Sequence, residues 1–318
     1  MHYALDGATG FVGGAVARLL RSRGHRVSAL VRDPAGAAGL DGVRLVVGDL
    51  DDRAALADLL DGVDGFFHVA GWYGLGGDRK AAVAANVVGT RNAIQAAVAA
   101  GVPRVVHTST LAVNSDTGGQ VVDETYRFTG SHLSVYDETK AQAHQVAHDL
   151  AAEGAPVVTV MPGMVYGPGD TSATGTMIRR VVDGRRPVVP AGGGLCWGHV
   201  DDIAAGHLAA MERGRDREDY MLAGPRLALA DGLRLVAELA GTSGPVVLPR
   251  QVVAGAARAA GLLGRVLPLP ATYGQSALRS ALATYLGSAA KAQAELGWTV
   301  RPVREGLQQV VDAQRRGR

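Results

Sequence analysis

Through the first half of the chain, short and almost continuously apolar runs alternate with longer amphipathic stretches, and this constrains the fold more than any other feature. The apolar runs lie at residues 3–6, 26–31, 43–47, 65–70, 104–110 and 156–161, and the stretches at 11–23, 52–60, 80–100 and 135–153 have helical length and period. A strand that is apolar on both faces needs cover on both faces, which is the condition inside a parallel sheet enclosed by helices. The expected fold class is therefore α/β, a doubly wound parallel sheet built from right-handed βαβ units. Beyond residue 161 the rhythm loosens: Gly/Pro loops occupy 163–170 and 191–194, and Pro245, Pro249, Pro268 and Pro270 punctuate the remainder. That part reads as a smaller, partly helical C-terminal lobe with segments returning to the main sheet. The expected division is 1–162 and 163–318. The stretch 251–267, with Arg258 and Arg265 among alanines, valines and leucines, is expected to be a helix packed on that lobe, since a membrane-surface helix carries more cationic charge. The tail 315–318 is expected to fray.

Composition limits the partners. Lysine plus arginine total 32 against 30 aspartate plus glutamate, a balance that argues against a nucleic-acid binder with its concentrated basic face. A single cysteine, Cys196, excludes an intramolecular disulfide framework and a cysteine-based zinc site, and is expected to be an inert core thiol. No apolar run reaches the roughly 18 residues of a membrane span. The chain enters a strand directly after its first residues, which leaves no room for a signal peptide and points to a cytoplasmic protein. The 44 glycines in 318 residues are about twice the usual ~7% and are dispersed, so they mark turns.

One group of those glycines is specific. Gly7-Ala8-Thr9-Gly10-Phe11-Val12-Gly13 falls between the first strand and the first helix, where a tight glycine turn lets backbone approach a pyrophosphate and the helix N-terminus supplies N–H donors and a positive dipole end. Glycine spacing alone is weak in so glycine-rich a chain; the strand–turn–helix context gives it weight. At the end of the second strand, a carboxylate would bind a ribose 2′-hydroxyl and repel a 2′-phosphate. Here Val31 occupies that place and Arg32 follows, a guanidinium suited to phosphate, so NADP(H) is favoured over NAD(H), with Asp33 one position late. In Gly48-Asp49-Leu50, after the third strand, Asp49 is expected to accept from the adenine amine.

Tyr136 and Lys140 are four residues apart and so share a helix face, in a chain with three lysines and eight tyrosines. A free phenol with a pKa near 10 is a poor acid–base group at neutral pH. A nearby ammonium and an oxidised nicotinamide ring both favour phenolate. The tyrosine can then exchange a proton with a carbonyl or alcohol while the cofactor exchanges a hydride. His107-Thr108-Ser109-Thr110 ends a strand at the ligand-binding side of such sheets, and either Ser109 or Thr110 can hold the substrate oxygen.

These residues resemble the extended short-chain dehydrogenase/reductase superfamily, the NAD-dependent epimerase/dehydratase family. The resemblance spans essentially the whole chain. It rests on the glycine turn, Gly48-Asp49-Leu50, His68-Val69-Ala70-Gly71, Asn86-Val87-Val88-Gly89-Thr90, Tyr136 through Lys140, Met161-Pro162-Gly163 through Gly169, and His199-Val200-Asp201-Asp202. It implies a Rossmann core with Thr110, Tyr136 and Lys140 as the catalytic residues. Lys140 would also bind ribose and lower the phenol pKa. Gly7, Gly10, Phe11, Val12, Gly13, Arg32, Asp49, Leu50, Ala70, Asn86 and Thr108 would surround the cofactor, with Pro162, Gly163 and Val165 lining the nicotinamide. Val31-Arg32-Asp33-Pro34 is similar to the dihydroflavonol-reductase-like branch. Leu111-Ala112 replaces the Asp-Glu pair of the sugar dehydratases, which disfavours dehydration. Asp6 departs from the small or hydroxyl residue usual before the glycine turn. Related enzymes often dimerise through helices like 80–100 and 135–153, so a homodimer is expected.

Other constellations carry less. His144-Gln145-Val146-Ala147-His148 imitates a zinc helix with Gln145 in place of the general-base glutamate, and no metal is assigned. His199-Val200-Asp201-Asp202 is expected to pack and hydrogen-bond. Trp72-Tyr73 either walls a substrate cavity or packs under the following glycine loop. The expected function is NADPH-dependent reduction of a ketone or aldehyde on a small or medium organic molecule, reversible as an alcohol dehydrogenase. The alternatives are a nucleotide-sugar 4-epimerase with bound NAD, using Arg179, Arg180, Arg185 and Arg186 for diphosphate, and a non-catalytic dinucleotide sensor.

Overall fold

The computed structural model describes residues 1–74, 78–263 and 275–317. In chain order the first part comprises β1 (His2–Leu5), α1 (Phe11–Ser22), β2 (Arg26–Val31), β3 (Arg44–Val47), α2 (Arg53–Leu60) and β4 (Gly65–His68). It continues with α3 (Arg79–Val83), a π-helical turn (Ala84–Val88), α4 (Gly89–Ala99), β5 (Val105–Thr108), α5 (Val135–Ala152) and β6 (Val157–Pro162). There follow β7 (Met164–Tyr166), α6 (Ala173–Val182), β8 (Val188–Pro190), β9 (Gly194–His199), α7 (Val200–Arg213) and β10 (Asp219–Leu222). The remainder is β11 (Arg226–Leu227), α8 (Leu229–Ala240), β12 (Val246–Leu248), α9 (Arg250–Leu263), α10 (Gln275–Leu282), β13 (Thr284–Tyr285), α11 (Ala290–Leu296) and α12 (Val303–Arg316).

Seven parallel strands form the main sheet in the order β10-β6-β5-β4-β1-β2-β3. Its strands other than the edge strand β3, where Val47 is exposed, are buried on both faces because helices cover both. One face carries a core of Val16 and Leu20 from α1, Ile203 and Leu208 from α7 and Leu296 from α11. The other carries Leu56 and Leu59 from α2, Ile94 and Ala97 from α4 and Val146 and Leu150 from α5. The strand order reverses between β1 and β4, and beyond the C-terminal ends at such a switch point a doubly wound sheet opens a ligand crevice. The last strand, β10, lies at the sheet edge beside β6 and comes from the C-terminal part of the chain. Outside the sheet, β7, β9, β11 and β13 pair together and β8 pairs β12. There a third core packs Tyr166, Trp197, Val181, Leu233, Leu307 and Val311.

Three departures from the sequence reading have physical causes. The stretch 80–100 is interrupted by the π-helical turn, which carries the buried Asn86; its amide bonds the Trp72 backbone and the Thr139 hydroxyl. The fourth strand stops at His68 because the next two N–H groups, of Val69 and Ala70, turn to the Asp6 carboxylate. The fifth stops at Thr108, since Thr110 caps a short 3₁₀ turn over Leu111–Asn114. In α9, Val253, Ala257 and Ala260 are buried and the helix packs against α10. Residues 264–267 of the expected helix, with Arg265, Pro268 and Pro270, lie outside the described residues, as does Arg318 of the tail. No described helix is long and apolar enough to cross a membrane.

Candidate active site

The glycine turn is shaped by its own backbone. Gly7 has φ +66°, and Gly10 N–H donates to the Gly7 carbonyl at 2.9 Å. A Cβ on Gly13 would lie 2.2 Å from the Gly7 oxygen, and one on Gly7 would lie 2.7 Å from Ala70 N. No side chain caps α1, whose N-cap is Gly10, so its first-turn N–H groups have no side-chain acceptor. A bare cradle at a helix N-terminus fits a dinucleotide pyrophosphate. Phe11, Val12 and Val165 pack at the edge of the first core, next to this turn.

Asp6 is accommodated by turning away from the cradle. Its Oδ1 accepts from Val69 N and Ala70 N, both at 2.6 Å, and Oδ2 meets His68 Nδ1 at 2.5 Å. His68 Nε2 continues to Thr90 Oγ1 at 2.9 Å. The carboxylate thus binds the end of β1 to the end of β4, across the switch point. Ala70 contributes here through its backbone, and Asn86 supports the same wall with an amide already engaged by protein.

At the end of β2, Arg32 is exposed and makes no hydrogen bond or ion pair among the described residues. Asp33 caps the following turn, its Oδ1 accepting from Ala35 N at 2.9 Å. Asp49 Oδ1 accepts from Asp51 N and Asp52 N, which leaves its second oxygen for a ligand, and the Leu50 carbonyl accepts from Asn92. Gly163, after β6, sits against the Cys196 carbonyl, 2.3 Å from where its Cβ would be, so only glycine fits.

The helix α5 begins at Ser134, whose hydroxyl accepts from Asp137 N at 3.1 Å and donates to the Asp137 carboxylate at 2.7 Å. Tyr285 of β13 donates to the same carboxylate at 3.1 Å. This fixes the first turn, from which Tyr136 projects. Burial pushes the Tyr136 hydroxyl well above its ordinary pKa, and a hydrogen bond with the Thr110 side chain opposes that rise. Tyr73 packs edge-on against Tyr136 with ring centroids 5.0 Å apart. Of the two readings of Trp72-Tyr73, the structure therefore sets Tyr73 beside the phenol, while the Trp72 ring lies against Gly74.

Lys140 is buried and donates to the Thr108 carbonyl at 2.8 Å. Burial brings its pKa down to about 8, with the nearby Asp6 carboxylate opposing that fall. The expected lowering of the Tyr136 pKa by Lys140 is not found here: the ammonium is committed to a carbonyl, and burial dominates the phenol. The two hydroxyls, of Ser109 and Thr110, have different surroundings. Ser109 Oγ is bound to His144 Nδ1 at 3.0 Å, whereas the Thr110 hydroxyl, which accepts from Ala112 N at 3.2 Å, lies close enough to Tyr136 to oppose the rise of its pKa. The Thr108 hydroxyl bonds His207 Nε2 at 3.0 Å, so this residue meets a ligand only by other atoms.

Sequence reasoning missed the Asp6–His68 pair, the Tyr285–Asp137 bond and the Thr108–His207 bond, each joining residues remote along the chain. The motif His199-Val200-Asp201-Asp202 is structural, as expected: His199 caps α7 and Asp202 pairs with Arg301 at 2.7 Å. Cys196 is buried with its thiol pKa raised by burial, consistent with an inert thiol.

A switch-point glycine cradle facing a Thr-Tyr-Lys set defines an NAD(P)-dependent oxidoreductase of the extended short-chain dehydrogenase/reductase type. Residues 5–223 match the model of the NAD dependent epimerase/dehydratase family, and the chain belongs to that family. A provisionally named dihydroflavonol 4-reductase of Synechocystis sp. is 35% identical over 254 residues, covering 76% of this chain and 74% of the relative. A 4-hydroxy-2-methyl-3-oxo-4-farnesyl-3,4-dihydroquinoline-1-oxide ketoreductase of Stigmatella aurantiaca is 33% identical, covering 84% of this chain and 80% of its own. The crystal structure of gox2253 superposes with a TM-score of 0.87 at 35% identity, covering 99% and 98% of the two chains. MoeE5, solved with UDP-glucuronic acid and NAD, gives a TM-score of 0.80 at 25% identity over all of both chains.

Proposed function

We propose that the protein reduces a ketone or aldehyde on a small or medium organic molecule with NADPH, and oxidises the alcohol in reverse. The observation that carries this reading is the Thr110–Tyr136 pair beside the buried Lys140, at the strand ends next to the glycine cradle. When bound, the nicotinamide supplies the hydride for the carbonyl carbon. Tyr136 gives its hydroxyl proton to the carbonyl oxygen, a role that requires the protonated phenol which burial favours. Thr110 orients that oxygen. Lys140, buried beside the pair and anchored on the Thr108 carbonyl, would hold the nicotinamide ribose. Gly7, Gly10 and Gly13 would hold the pyrophosphate, Asp49 the adenine, and Pro162, Gly163 and Val165 the nicotinamide side, with Tyr73 walling the substrate. The residues after 162, apart from those returning to the main sheet, form the substrate lobe, and the assembly is a homodimer through α4 and α5.

The preference for NADPH rests on Val31 in the acid's place, on Asp33 turned into its own cap, and on an unengaged Arg32. Titration of both cofactors into wild type and Arg32→Ala tests it. One charge-assisted phosphate contact is worth ~1.5–3 kcal/mol, so NADPH binds roughly ten- to a hundredfold tighter in wild type and loses that margin in the variant. Equal affinities in wild type rule the assignment out. The epimerase reading has less support: Arg179 is bonded to Thr176 and the Asp170 carbonyl, and Arg186 to the Gly244 carbonyl. Turnover of a carbonyl panel followed by NADPH consumption separates a reductase from both the epimerase and a silent sensor.

A further inference from the structure

His144 and His148 stand one turn apart on α5, and their spacing lacks the glutamate of a zinc helix. The fold supplies a carboxylate from elsewhere. Strand β10, the returning edge of the main sheet, brings the buried Asp219 against both rings. His148 Nε2 lies 2.9 Å from Asp219 Oδ1 and 3.0 Å from Oδ2, and His144 Nε2 lies 3.5 Å from Oδ2. One ligand-capable atom from each of the three residues can be chosen so that all lie within 4.8 Å of one another.

We propose that His144, His148 and Asp219 form a binding site for a divalent transition-metal ion of the zinc type, outside the hydride-transfer machinery. A zinc ion with bonds of ~2.0–2.1 Å to nitrogen and oxygen spaces tetrahedral ligands about 3.3 Å apart. The His144–Asp219 separation is already near that value, and the His148–Asp219 separation needs an opening of a few tenths of an ångström. His148 is partly exposed, so its ring has room to move.

Two further features suit a metal. The first is the support of His144. Its Nδ1 is bound to Ser109 Oγ at 3.0 Å. A hydrogen bond donated from Nδ1 selects the tautomer whose Nε2 lone pair is free, which is how metal-binding histidines are oriented. Where Nδ1 donates to Ser109, the Nε2 lone pair faces the Asp219 carboxylate, and a cation bound between these two acceptors satisfies both. The second feature is access. A cleft of about 280 Å³ opens on the site, lined by His148, Asp219, Thr159 and Arg217 among others, and offers space for a fourth, solvent-derived ligand. Two cations lie close: Arg217 on the cleft, and Lys291, whose Nζ bonds the Asp219 carbonyl at 2.8 Å and the Glu218 carboxylate. They oppose a metal by charge, so the site is expected to bind less tightly than a closed four-ligand centre.

The test uses full-length protein without a histidine tag, stripped with chelator and dialysed. Zinc chloride is added and bound metal counted per chain, and cobalt chloride is added separately to read ligand-field absorption. Wild type is expected to take up one saturable equivalent with a rise in thermal midpoint and a cobalt spectrum distinct from the hydrated ion. His148→Gln and Asp219→Asn are expected to weaken uptake at least tenfold, with circular dichroism checking that each variant is folded. The partly exposed His148 is the change that disturbs packing less. No saturable uptake by wild type overturns the proposal whatever the variants do, and so does uptake by folded His148→Gln equal to that of wild type.

Discussion

Asp6 offers the sharpest thermodynamic test of how the cofactor-side wall is built. The carboxylate is buried and accepts from two backbone N–H groups at 2.6 Å while meeting the His68 ring. Asp6→Ala removes the acceptor for all three donors at once. Each buried donor left without a partner costs ~1–3 kcal/mol, so the variant is expected to lose about 3–9 kcal/mol. That is a large share of the ~5–15 kcal/mol that holds a typical domain together. Asp6→Asn behaves differently, because both amide bonds go to the same oxygen, Oδ1, which asparagine keeps. Its NH₂ faces His68 Nδ1, which can accept while Nε2–H donates to Thr90. The asparagine variant is therefore expected to lose only about 1 kcal/mol, the net worth of one hydrogen bond. Urea unfolding of the three proteins, with the slope compared as well as the midpoint, measures both numbers. An Asp6→Ala protein within ~0.5 kcal/mol of wild type, or an asparagine variant as damaged as the alanine one, would refute the argument, since surface-like substitutions stay in that range.

Further expectations follow from single sites. Gly13→Ala sets a methyl 2.2 Å from the Gly7 carbonyl and must displace the turn, so NADPH affinity is expected to fall more than tenfold. Gly255→Ala in α9 meets nothing within 4 Å and is expected to gain ~0.5–1 kcal/mol of stability, both read by cofactor titration and urea unfolding. His207 is held neutral, with Nδ1 donating to the Ile203 carbonyl and Nε2 accepting from Thr108; burial lowers its pKa to about 4. Below pH 6.5 the unfolded chain takes up a proton that the fold refuses. Its contribution to stability is therefore full above pH 6.5 and drains by about 1.4 kcal/mol per pH unit down to pH 4. His207→Gln, compared with wild type over that range by urea unfolding, is expected to flatten the profile; an unchanged slope contradicts the assignment. Thr110→Ser is expected to retain most turnover of an accepted carbonyl and Thr110→Ala to lose it, as checked by steady-state NADPH oxidation.

Local pattern carried much of this structure and remote contact carried the rest. Five of the six apolar runs are strands covered on both faces, a condition written along the chain itself, and the third is the edge strand β3, where Val47 stays exposed. The glycine turn was legible for the same reason: Gly7, Gly10 and Gly13 are required by contacts within a few residues of each other and by the helix that starts at Phe11. Tyr136 and Lys140 were legible because helical spacing joins them. What Asp6 does was not legible, because its partners are more than sixty residues away. The ambiguity between Ser109 and Thr110 had the same origin, since His144 of α5 takes one hydroxyl and leaves the other. Asp219 illustrates the point most fully: nothing in the spacing of His144 and His148 announces a carboxylate that arrives on the last strand of the sheet. The π-helical turn at Asn86 was hidden inside a continuous helical pattern, because the Trp72 backbone and Thr139 set its purpose from outside.

The central claim is that Tyr136 is the proton donor in carbonyl reduction. Tyr136→Phe preserves the ring that packs on Tyr73 and removes only the hydroxyl. With a carbonyl accepted by wild type, and with pre-steady-state conditions in which chemistry limits the rate, general acid catalysis of this kind contributes ~10²–10⁴-fold. The variant is expected to keep its unfolding midpoint and its NADPH affinity while the rate of reduction falls by that factor. A variant that reduces the same carbonyl as fast as wild type contradicts the claim.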